Sequence, residues 1–160
     1  MSSAAAAGVD ALVWAAWSVV VGYLAHAVPQ RWYEQDTWLT RIRAWERGGR
    51  SYDRLHIRKW KGRLPEAGAF FRKGTSKRVL VDRSGRGLER FTIETRRAEY
   101  VHVAIVAITP VFVWWNPPRL MAAMVVYAAA ANLPCIAVQR FNRARLARIT
   151  ATPAMAAGCR

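Results

Sequence analysis

The sequence predicts an all-α integral membrane protein with about three transmembrane helices and a basic, amphipathic cytoplasmic segment between the first and the second. Hydrophobic residues make up 53% of the 160 residues, yet 25 Lys and Arg stand against 10 Asp and Glu, a formal net charge of +15. Residues 11–28, 101–118 and 120–138 contain no Lys, Arg, Asp or Glu, whereas residues 29–100 contain 19 of the 25 basic residues. This segregation argues against a soluble monomer, a secreted disulfide scaffold and a disordered basic tail.

The charge-free stretches divide the chain into four parts. We expect an amino-terminal transmembrane anchor at 1–28, a basic cytoplasmic or interfacial segment at 29–100, a transmembrane helical hairpin at 101–138 and a basic cytoplasmic tail at 139–160 with a disordered end.

The first span is the uncharged stretch 11–28, whose eighteen residues rise about 1.5 Å each and so cross most of the roughly 30 Å hydrocarbon layer. The alternative is a cleaved secretory signal peptide, because Ala25-His26-Ala27 resembles a small-x-small cleavage site. No Lys or Arg precedes the apolar stretch, so a signal peptide's positive start is missing. This favours a retained anchor.

The second and third spans form the hairpin. Val101–Trp115 is short for a span, so we expect its helix to begin earlier, near Leu88. Asn116-Pro117-Pro118 should break the helix, because proline lacks a backbone donor and biases its predecessor away from helix. Residues 120–138 then return as the third span.

The orientation follows from the basic residues that flank the spans. Five Lys and Arg follow Val138, whereas the turn between the second and third spans carries only Arg119. The positive-inside rule therefore predicts that residues 29–100 and 139–160 are cytoplasmic and that the amino terminus lies outside. We expect a multi-pass protein of the cell (inner) membrane.

The basic segment begins with interleaved aromatic residues and arginines. The spacing of Trp38, Ile42 and Trp45 predicts a helix over 31–47 with one apolar stripe, ended by Gly48-Gly49. Such a helix would lie in the headgroup region with its arginines toward lipid phosphates. Single-stranded nucleic acid is an alternative partner for this composition, but the membrane spans nearby explain the same chemistry.

The rest of the basic segment and the two cysteines predict no site. Residues 70–88 are rich in Gly, Ser, Lys and Arg and predict a loop with one short strand at Val79-Leu80-Val81. Cys135 and Cys159 form neither a disulfide framework nor a CxxC motif. We therefore expect no metal and no cofactor.

The helix entering the second span carries the residues best suited to catalysis. Glu99 precedes His102 by three positions, so the carboxylate can fix the tautomer of the imidazole and raise its basicity. Glu94 and Arg97 have the same spacing and would brace the helix. The plainer alternative is a set of salt bridges at a helix–membrane boundary, with His102 in a packing role. His56 is the rival base, and His26 has no acidic neighbour within a turn.

The third span and the residues after it carry further polar groups. Asn132 and Pro134 should interrupt the helix, and polar groups in a bilayer usually face a bundle or a cavity. Gln139 and Asn142 lie among the arginines that follow. A simple stop-transfer anchor with snorkelling arginines is the alternative, but the two neutral amides add nothing to such an anchor.

Three sequence motifs, taken together, resemble those of a known protein family. They are His56-Ile57-Arg58-Lys59-Trp60-Lys61, then Ile93–Glu99 with His102, and finally Asn132-Leu133-Pro134 followed by Gln139–Leu146. In this order, from about Leu55 to Leu146, the chain resembles the glycosyl-4,4'-diaponeurosporenoate acyltransferase family. These membrane enzymes acylate the sugar in staphyloxanthin-type carotenoid synthesis. The resemblance implies transfer of a fatty acyl group to the primary hydroxyl of a glycolipid sugar.

The first functional hypothesis is therefore a membrane-embedded O-acyltransferase. His102 would be the general base on the acceptor hydroxyl, oriented by Glu99, while Glu94 would act with Arg97 on the same helix. An amide of Asn132 or Gln139 would stabilise the oxyanion. The phosphates of the donor would be bound by Lys59, Lys61, Arg140 and Arg143. The expected substrate-binding residues are Arg97, Lys59, Trp60, Lys61, Asn132, Gln139, Arg140, Asn142 and Arg143.

The expected partners follow from this hypothesis. They are a membrane lipid or glycolipid acceptor and an acyl-CoA or acyl-carrier donor, and a homo-oligomer or a complex with other membrane proteins is compatible with the sequence. The second hypothesis is a non-catalytic membrane subunit that binds lipid or a partner enzyme, because three spans and one short segment leave little room for two substrates.

Overall fold

The fold is all-α, as predicted. The structure is a computed structural model that describes residues 2–64 and 84–157. Within these two ranges the regular elements are α-helices and 3-10 helices, and no residue lies in a β-strand. The strand expected at Val79-Leu80-Val81 lies outside the described residues.

Four α-helices and four short 3-10 helices make up the described chain. The α-helices are α1 (Ser3–Ala27), α2 (Ile57–Trp60), α3 (Gly85–Ala107) and α4 (Pro118–Ala157), and the 3-10 helices span Gln30–Tyr33, Ala44–Leu55, Lys61–Arg63 and Thr109–Trp114. We call Ala44–Leu55 the basic 3-10 segment.

Three helical stretches are long and apolar enough to cross a membrane, which confirms the predicted number of spans: Ser3–Ala27, Gly85–Trp114 and Pro118–Arg148. Helix α3 begins at Gly85, three residues before the predicted start. The chain leaves helical geometry after Trp114 and re-enters it at Pro118, where the ring of proline suits a first helical position. The break therefore lies at the predicted Asn-Pro-Pro turn.

Helix α4 differs from the prediction, because neither Asn132 nor Pro134 interrupts it. The side-chain amide of Asn132 donates to the carbonyl oxygen of Ala128 at 3.0 Å, one turn earlier, so the polar group is satisfied within the helix. Proline is tolerated in membrane helices where neighbouring groups satisfy the freed backbone. The helix continues beyond residue 138 to Ala157. The cytoplasmic tail with a disordered end stays a prediction.

The segment 31–47 is not the continuous helix that its spacing predicts. Its central carbonyl oxygens accept hydrogen bonds from arginine side chains instead of from the backbone four residues on. Arg140 donates to the carbonyl of Leu39 at 3.0 Å, and Arg143 donates to that of Thr40 at 3.0 Å. Because long-range guanidinium donors satisfy these acceptors, the segment does not need helical hydrogen bonds.

The chain forms two compact units. The membrane unit comprises Met1–Pro29 and Glu99–Ile136, and the basic unit comprises Gln30–Ala98 and Ala137–Arg160. Each unit has a core of its own.

The core of the membrane unit is aromatic. Trp14 and Phe112 stack with ring centroids 5.6 Å apart, and Ala128 completes the buried cluster. The indole nitrogen of Trp17 donates to the carbonyl oxygen of Ala104 at 2.9 Å. Large apolar side chains remain exposed on the same helices, as expected for surfaces that contact lipid. They include Leu12, Val19, Leu24, Val125, Val126 and Leu133.

The core of the basic unit forms around Phe141, which packs with Tyr52, Ile57 and Val138. The basic 3-10 segment is broken at Gly49, where φ is 90°. A Cβ atom there would lie 3.5 Å from the Phe141 side chain, and an L side chain would be strained at this φ. Glycine therefore allows the chain to turn closely against α4.

Candidate functional site

A histidine–amide pair lies in the membrane unit. His102 Nδ1 and Asn132 Oδ1 are 3.0 Å apart, although thirty positions separate the residues. The amide nitrogen of Asn132 is directed to the carbonyl of Ala128, so its oxygen faces the ring. Since an amide oxygen only accepts, this contact is a hydrogen bond in the tautomer that has its proton on Nδ1, and in that tautomer the lone pair lies on Nε2. The sequence identified both residues but did not predict that they pair.

Glu99, the predicted partner of His102, belongs to the same unit and is 1% exposed. The burial of a carboxylate is costly unless it is paired or hydrogen-bonded. The predicted role of Glu99 on the imidazole stays a prediction.

A cavity of about 460 Å³ lies next to the pair, because Asn132 is part of its lining. Most of the wall is apolar or aromatic, from Trp14, Ile105 and Tyr127, while Asp10 and Ser18 add polar groups. A mostly apolar wall with a few polar groups is typical of sites that bind lipid-like molecules.

Asp10 is a buried acid that the sequence reasoning missed. It is 1% exposed and accepts hydrogen bonds from the indole nitrogen of Trp115 at 2.7 Å and from the amide of Asn116 at 2.9 and 3.0 Å. The sequence could have identified Asp10, because it is the single acidic residue of the first apolar helix. An ionisable residue within a membrane helix usually has a functional or structural role.

The basic unit contains another buried carboxylate, Glu46, which is 0% exposed. It accepts hydrogen bonds from Arg140 at 2.6 Å, from the backbone N–H of Arg43 at 2.7 Å and from the Tyr52 hydroxyl at 2.7 Å. Burial raises the pKa of Glu46, but these three hydrogen bonds outweigh it and hold the pKa below its ordinary value. Burial, together with the bond to Glu46, raises the pKa of Tyr52. Neither Glu46 nor Tyr52 was predicted as a site residue.

Arg140 and Arg143, two of the predicted phosphate-binding residues, make contacts within the protein. Arg140 binds two backbone carbonyls and Glu46, and Arg143 is 3% exposed with a bond to the carbonyl of Thr40. These contacts give both arginines a structural role in holding the segment around Thr40. Phosphate binding by either one stays a prediction.

Lys61 is another residue predicted to bind the acyl donor, and it contacts two side chains of α4. Its ammonium group is 3.3 Å from Asn142 Oδ1 and 5.8 Å from the ring centre of Phe141. Burial lowers the pKa of Lys61, and the nearby charges of Arg145 and Arg58 lower it further.

Four other residues that were predicted to bind substrate differ in exposure. Lys59 is exposed, whereas Trp60 packs against the core and donates to the carbonyl oxygen of Leu55 at 2.7 Å. Gln139 and Asn142 are buried. Within the described residues Gln139 Oε1 and Asn142 Nδ2 have no hydrogen-bond partner. Buried polar atoms of this kind are rare in proteins, so a bound molecule is a reasonable candidate partner.

The spacing also predicted the contact between Glu94 and Arg97, and the structure pairs their side chains. The guanidinium carbon of Arg97 lies 5.0 Å from the ring centre of Tyr33. This cluster belongs to the basic unit. In residues 2–64 and 84–157, no group of three or more His, Cys, Asp or Glu is arranged to hold a metal ion.

The predicted residues thus fall into two sets. His102, Glu99 and Asn132 belong to the membrane unit, and the other nine belong to the basic unit. Together the fold and the His102–Asn132 pair define a helical membrane protein with a candidate general base in its apolar unit.

Comparison with known proteins identifies the family. The model of the glycosyl-4,4'-diaponeurosporenoate acyltransferase family matches residues 29–152. Two relatives with that name, from Staphylococcus aureus strains bovine RF122 / ET3-1 and USA300, are 30% and 29% identical over 138 residues, which are 83% of this chain and 82% of each relative. No solved structure matches the chain. The chain belongs to the glycosyl-4,4'-diaponeurosporenoate acyltransferase family and is an acyltransferase.

Proposed function

We propose that this protein transfers a fatty acyl group from a thioester donor to a sugar hydroxyl of a glycolipid such as a carotenoid glycoside. The family name supports the acceptor class. The observation that carries the mechanism is the His102–Asn132 pair beside an apolar cavity. The donor is proposed to be an acyl-CoA or an acyl carrier, since both present a thioester.

His102 acts as the general base in this proposal. Its Nε2 takes the proton of the acceptor hydroxyl while the hydroxyl oxygen attacks the carbonyl carbon of the thioester. The tetrahedral intermediate collapses by breaking the carbon–sulfur bond, and the protonated ring returns the proton to the leaving thiolate. The products are an ester and a free thiol.

Asn132 and Glu99 act through His102. The bond from Nδ1 to Asn132 keeps the proton on that nitrogen and leaves Nε2 as the proton acceptor. This pairing favours a positioning role for Asn132 over the oxyanion role expected from the sequence. Glu99 would stabilise the positive ring that forms during the reaction.

The cavity beside Asn132 is proposed to hold an apolar part of a substrate. Its volume of about 460 Å³ lies within the range of roughly 300–1,000 Å³ that is usual for small-molecule sites. Its wall from Ile105, Met124 and Tyr127 suits a hydrocarbon chain rather than a phosphate. In the basic unit, the exposed Lys59 and the buried amides of Gln139 and Asn142 are the proposed contacts for the donor.

The proposed orientation is that of the positive-inside rule, with the amino terminus outside the cell membrane and the basic unit in the cytoplasm. A cysteine at the exposed position Gln35, in a background without Cys135 and Cys159, tests it. We expect this cysteine to resist a membrane-impermeant thiol reagent in intact cells, while a cysteine at Ser3 reacts. The reverse labelling pattern would refute the orientation.

The catalytic proposal is tested by acyl transfer with purified protein, a labelled acyl-CoA and a glycolipid acceptor. Loss of a general base costs about 10²–10⁴ in rate, so His102→Ala should lose at least about a hundredfold in turnover. His56→Ala is the matched control, since His56 is exposed and contacts the carbonyl of its own neighbour Arg54. Equal turnover of the folded His102→Ala variant and the wild type would exclude His102 as the base.

The positioning role of Asn132 has a separate test. Asn132→Leu should lower kcat with little change in the KM for the donor, and its effect should largely disappear in a His102→Ala background. Independent, additive effects of the two substitutions would contradict the pairing. Transfer by the purified protein alone would also exclude the alternative of a non-catalytic subunit.

A further inference from the structure

A cavity of about 490 Å³ in the basic unit is lined by arginines that the proposed function does not use. Its described lining is Trp45, Arg47, Arg50, Ser51 and Arg54, all from the basic 3-10 segment. The three arginines are exposed, and the Trp45 ring is 60% exposed. Three arginine side chains therefore line one space that solvent can reach.

The acids of this segment do not neutralise the three charges. Glu46 is directed into the interior, where it binds Arg140, and Asp53 is not part of the described lining. Within residues 2–64 and 84–157, the side chains of Arg47, Arg50 and Arg54 make no ion pair or hydrogen bond. Like charges that line one cavity repel one another, so an anion in the cavity would stabilise the arrangement.

The backbone conformation around Arg47 supports a binding role for this cavity. Arg47 has φ 47°, a left-handed conformation that costs free energy for any residue with a side chain, and Gly48 follows it at φ 61°. The Ser51 hydroxyl donates to the carbonyl oxygen of Trp45, which connects two residues of the lining. A strained non-glycine residue that lines a cavity is a common feature of binding sites.

We propose that this cavity binds a phosphate group, with Arg47, Arg50 and Arg54 as its ligands. Planar guanidinium groups bind phosphate oxygens in pairs, and several of them suit a diphosphate or a phosphomonoester. Two kinds of molecule that a membrane acyltransferase can encounter carry such groups. A CoA thioester carries phosphates at its nucleotide end, and an anionic phospholipid carries one in its headgroup. The choice of CoA rests on the proposed function, whereas the phosphate chemistry does not.

Binding to the purified protein in neutral detergent tests the proposal without any turnover. The triple variant Arg47→Gln/Arg50→Gln/Arg54→Gln is titrated with CoA, with pantetheine, which lacks phosphate, and with short-chain phosphatidylglycerol. The control variant Arg31→Gln/Arg86→Gln/Arg90→Gln removes the same charge from exposed positions outside the cavity. Hydrogen bonds to charged groups are worth enough that the triple variant should bind at least about tenfold more weakly.

The titrations with CoA and with phosphatidylglycerol lead to different conclusions. Loss of CoA binding in the triple variant but not in the control identifies the nucleotide phosphates as the ligand. Loss of phosphatidylglycerol binding alone identifies a lipid headgroup. Equal behaviour of the two variants with both ligands overturns the proposal, because any effect would then be general electrostatics. His102→Ala should bind CoA like the wild type, so a failed transfer reaction and a failed phosphate site are distinguishable.

A single substitution separates binding from folding. Arg47→Gly removes one guanidinium and at the same time relieves the left-handed strain, because glycine adopts positive φ without a steric cost. We expect a thermal midpoint that is equal to or higher than that of the wild type, together with weaker binding of the phosphate ligand. Unchanged binding by this variant would exclude Arg47 from the site.

Discussion

Each unit of this protein contains a buried carboxylate that accepts several hydrogen bonds, Asp10 in the membrane unit and Glu46 in the basic unit, and the two are stabilised in different ways. Asp10 in the membrane unit receives hydrogen bonds from two neutral groups, the indole of Trp115 and the amide of Asn116. Glu46 in the basic unit receives a charge-assisted bond from Arg140 as well as two neutral bonds. Among residues 2–64 and 84–157, the hydrogen bonds to Asp10 therefore come from neutral groups and not from a cation.

The difference reflects what each unit can supply. The charge-free stretches that make the membrane unit apolar leave no arginine or lysine among their own residues, so polar donors come from aromatic and amide side chains. The basic unit has cations in excess and uses one of them to join Glu46 to the carbonyls of an irregular segment. Its ion pair therefore holds a backbone conformation as well as neutralising a charge.

The largest expected effect is that of Glu46→Gln. Removal of one partner from a buried ion pair typically costs about 3–5 kcal/mol, because the other charge stays buried without compensation. We expect a loss of unfolding free energy of this order, measured by thermal or denaturant unfolding in detergent. The control is Asp36→Asn, which breaks the more exposed pair with Arg96 and should cost about 1 kcal/mol or less. Equal losses would show that the burial of Glu46 is not what matters.

The difference in unfolding free energy between the wild type and Glu46→Gln should depend on pH. Folding lowers the pKa of Glu46, so its contribution to stability is fully present above the carboxyl group's unfolded pKa of about 4.3 and is lost as the pH falls through the lowered value. The difference in stability between wild type and Glu46→Gln should be constant near neutral pH and shrink in acid. A difference that grows as the pH falls would contradict the assigned direction of the shift.

Asp10→Asn is the matching substitution in the membrane unit and should have a smaller effect. The amide keeps one acceptor oxygen for Trp115 or Asn116 and leaves no unpaired cation, so the loss is that of one buried hydrogen bond, about 1–3 kcal/mol. The same unfolding measurement applies. A loss larger than that of Glu46→Gln would reverse the comparison between the two units.

The smallest expected effect on stability is that of Lys61→Met. Because burial lowers the pKa of Lys61, its charged form costs stability at neutral pH, and this offsets the hydrogen bond to Asn142. The net change should be within about 1 kcal/mol. The same variant tests the predicted donor contact, since a rise in the KM for the acyl donor at unchanged stability would support it. A loss as large as that of Glu46→Gln would show that Lys61 is chiefly structural.

Much of the fold could be predicted from composition. Three apolar stretches predict three spans because the hydrocarbon layer excludes charged side chains and requires about twenty apolar residues per helix. The break at Asn116–Pro118 follows from proline chemistry within three residues. The pairing of Glu94 with Arg97 follows from helical spacing alone. Each of these predictions depends on neighbouring positions only.

The helical membrane architecture, its turn and the polar residues that are candidates for the site could therefore be predicted before folding was considered. How those residues are used depends on how the chain packs in three dimensions. His102 lies thirty positions from Asn132, and Arg140 lies ninety-four positions from Glu46. Helical periodicity along 31–47 predicted a helix because it counts only local contacts, whereas distant arginines bind the carbonyls of that segment. Contacts between distant parts of the chain form only when the chain packs, and no local pattern encodes them.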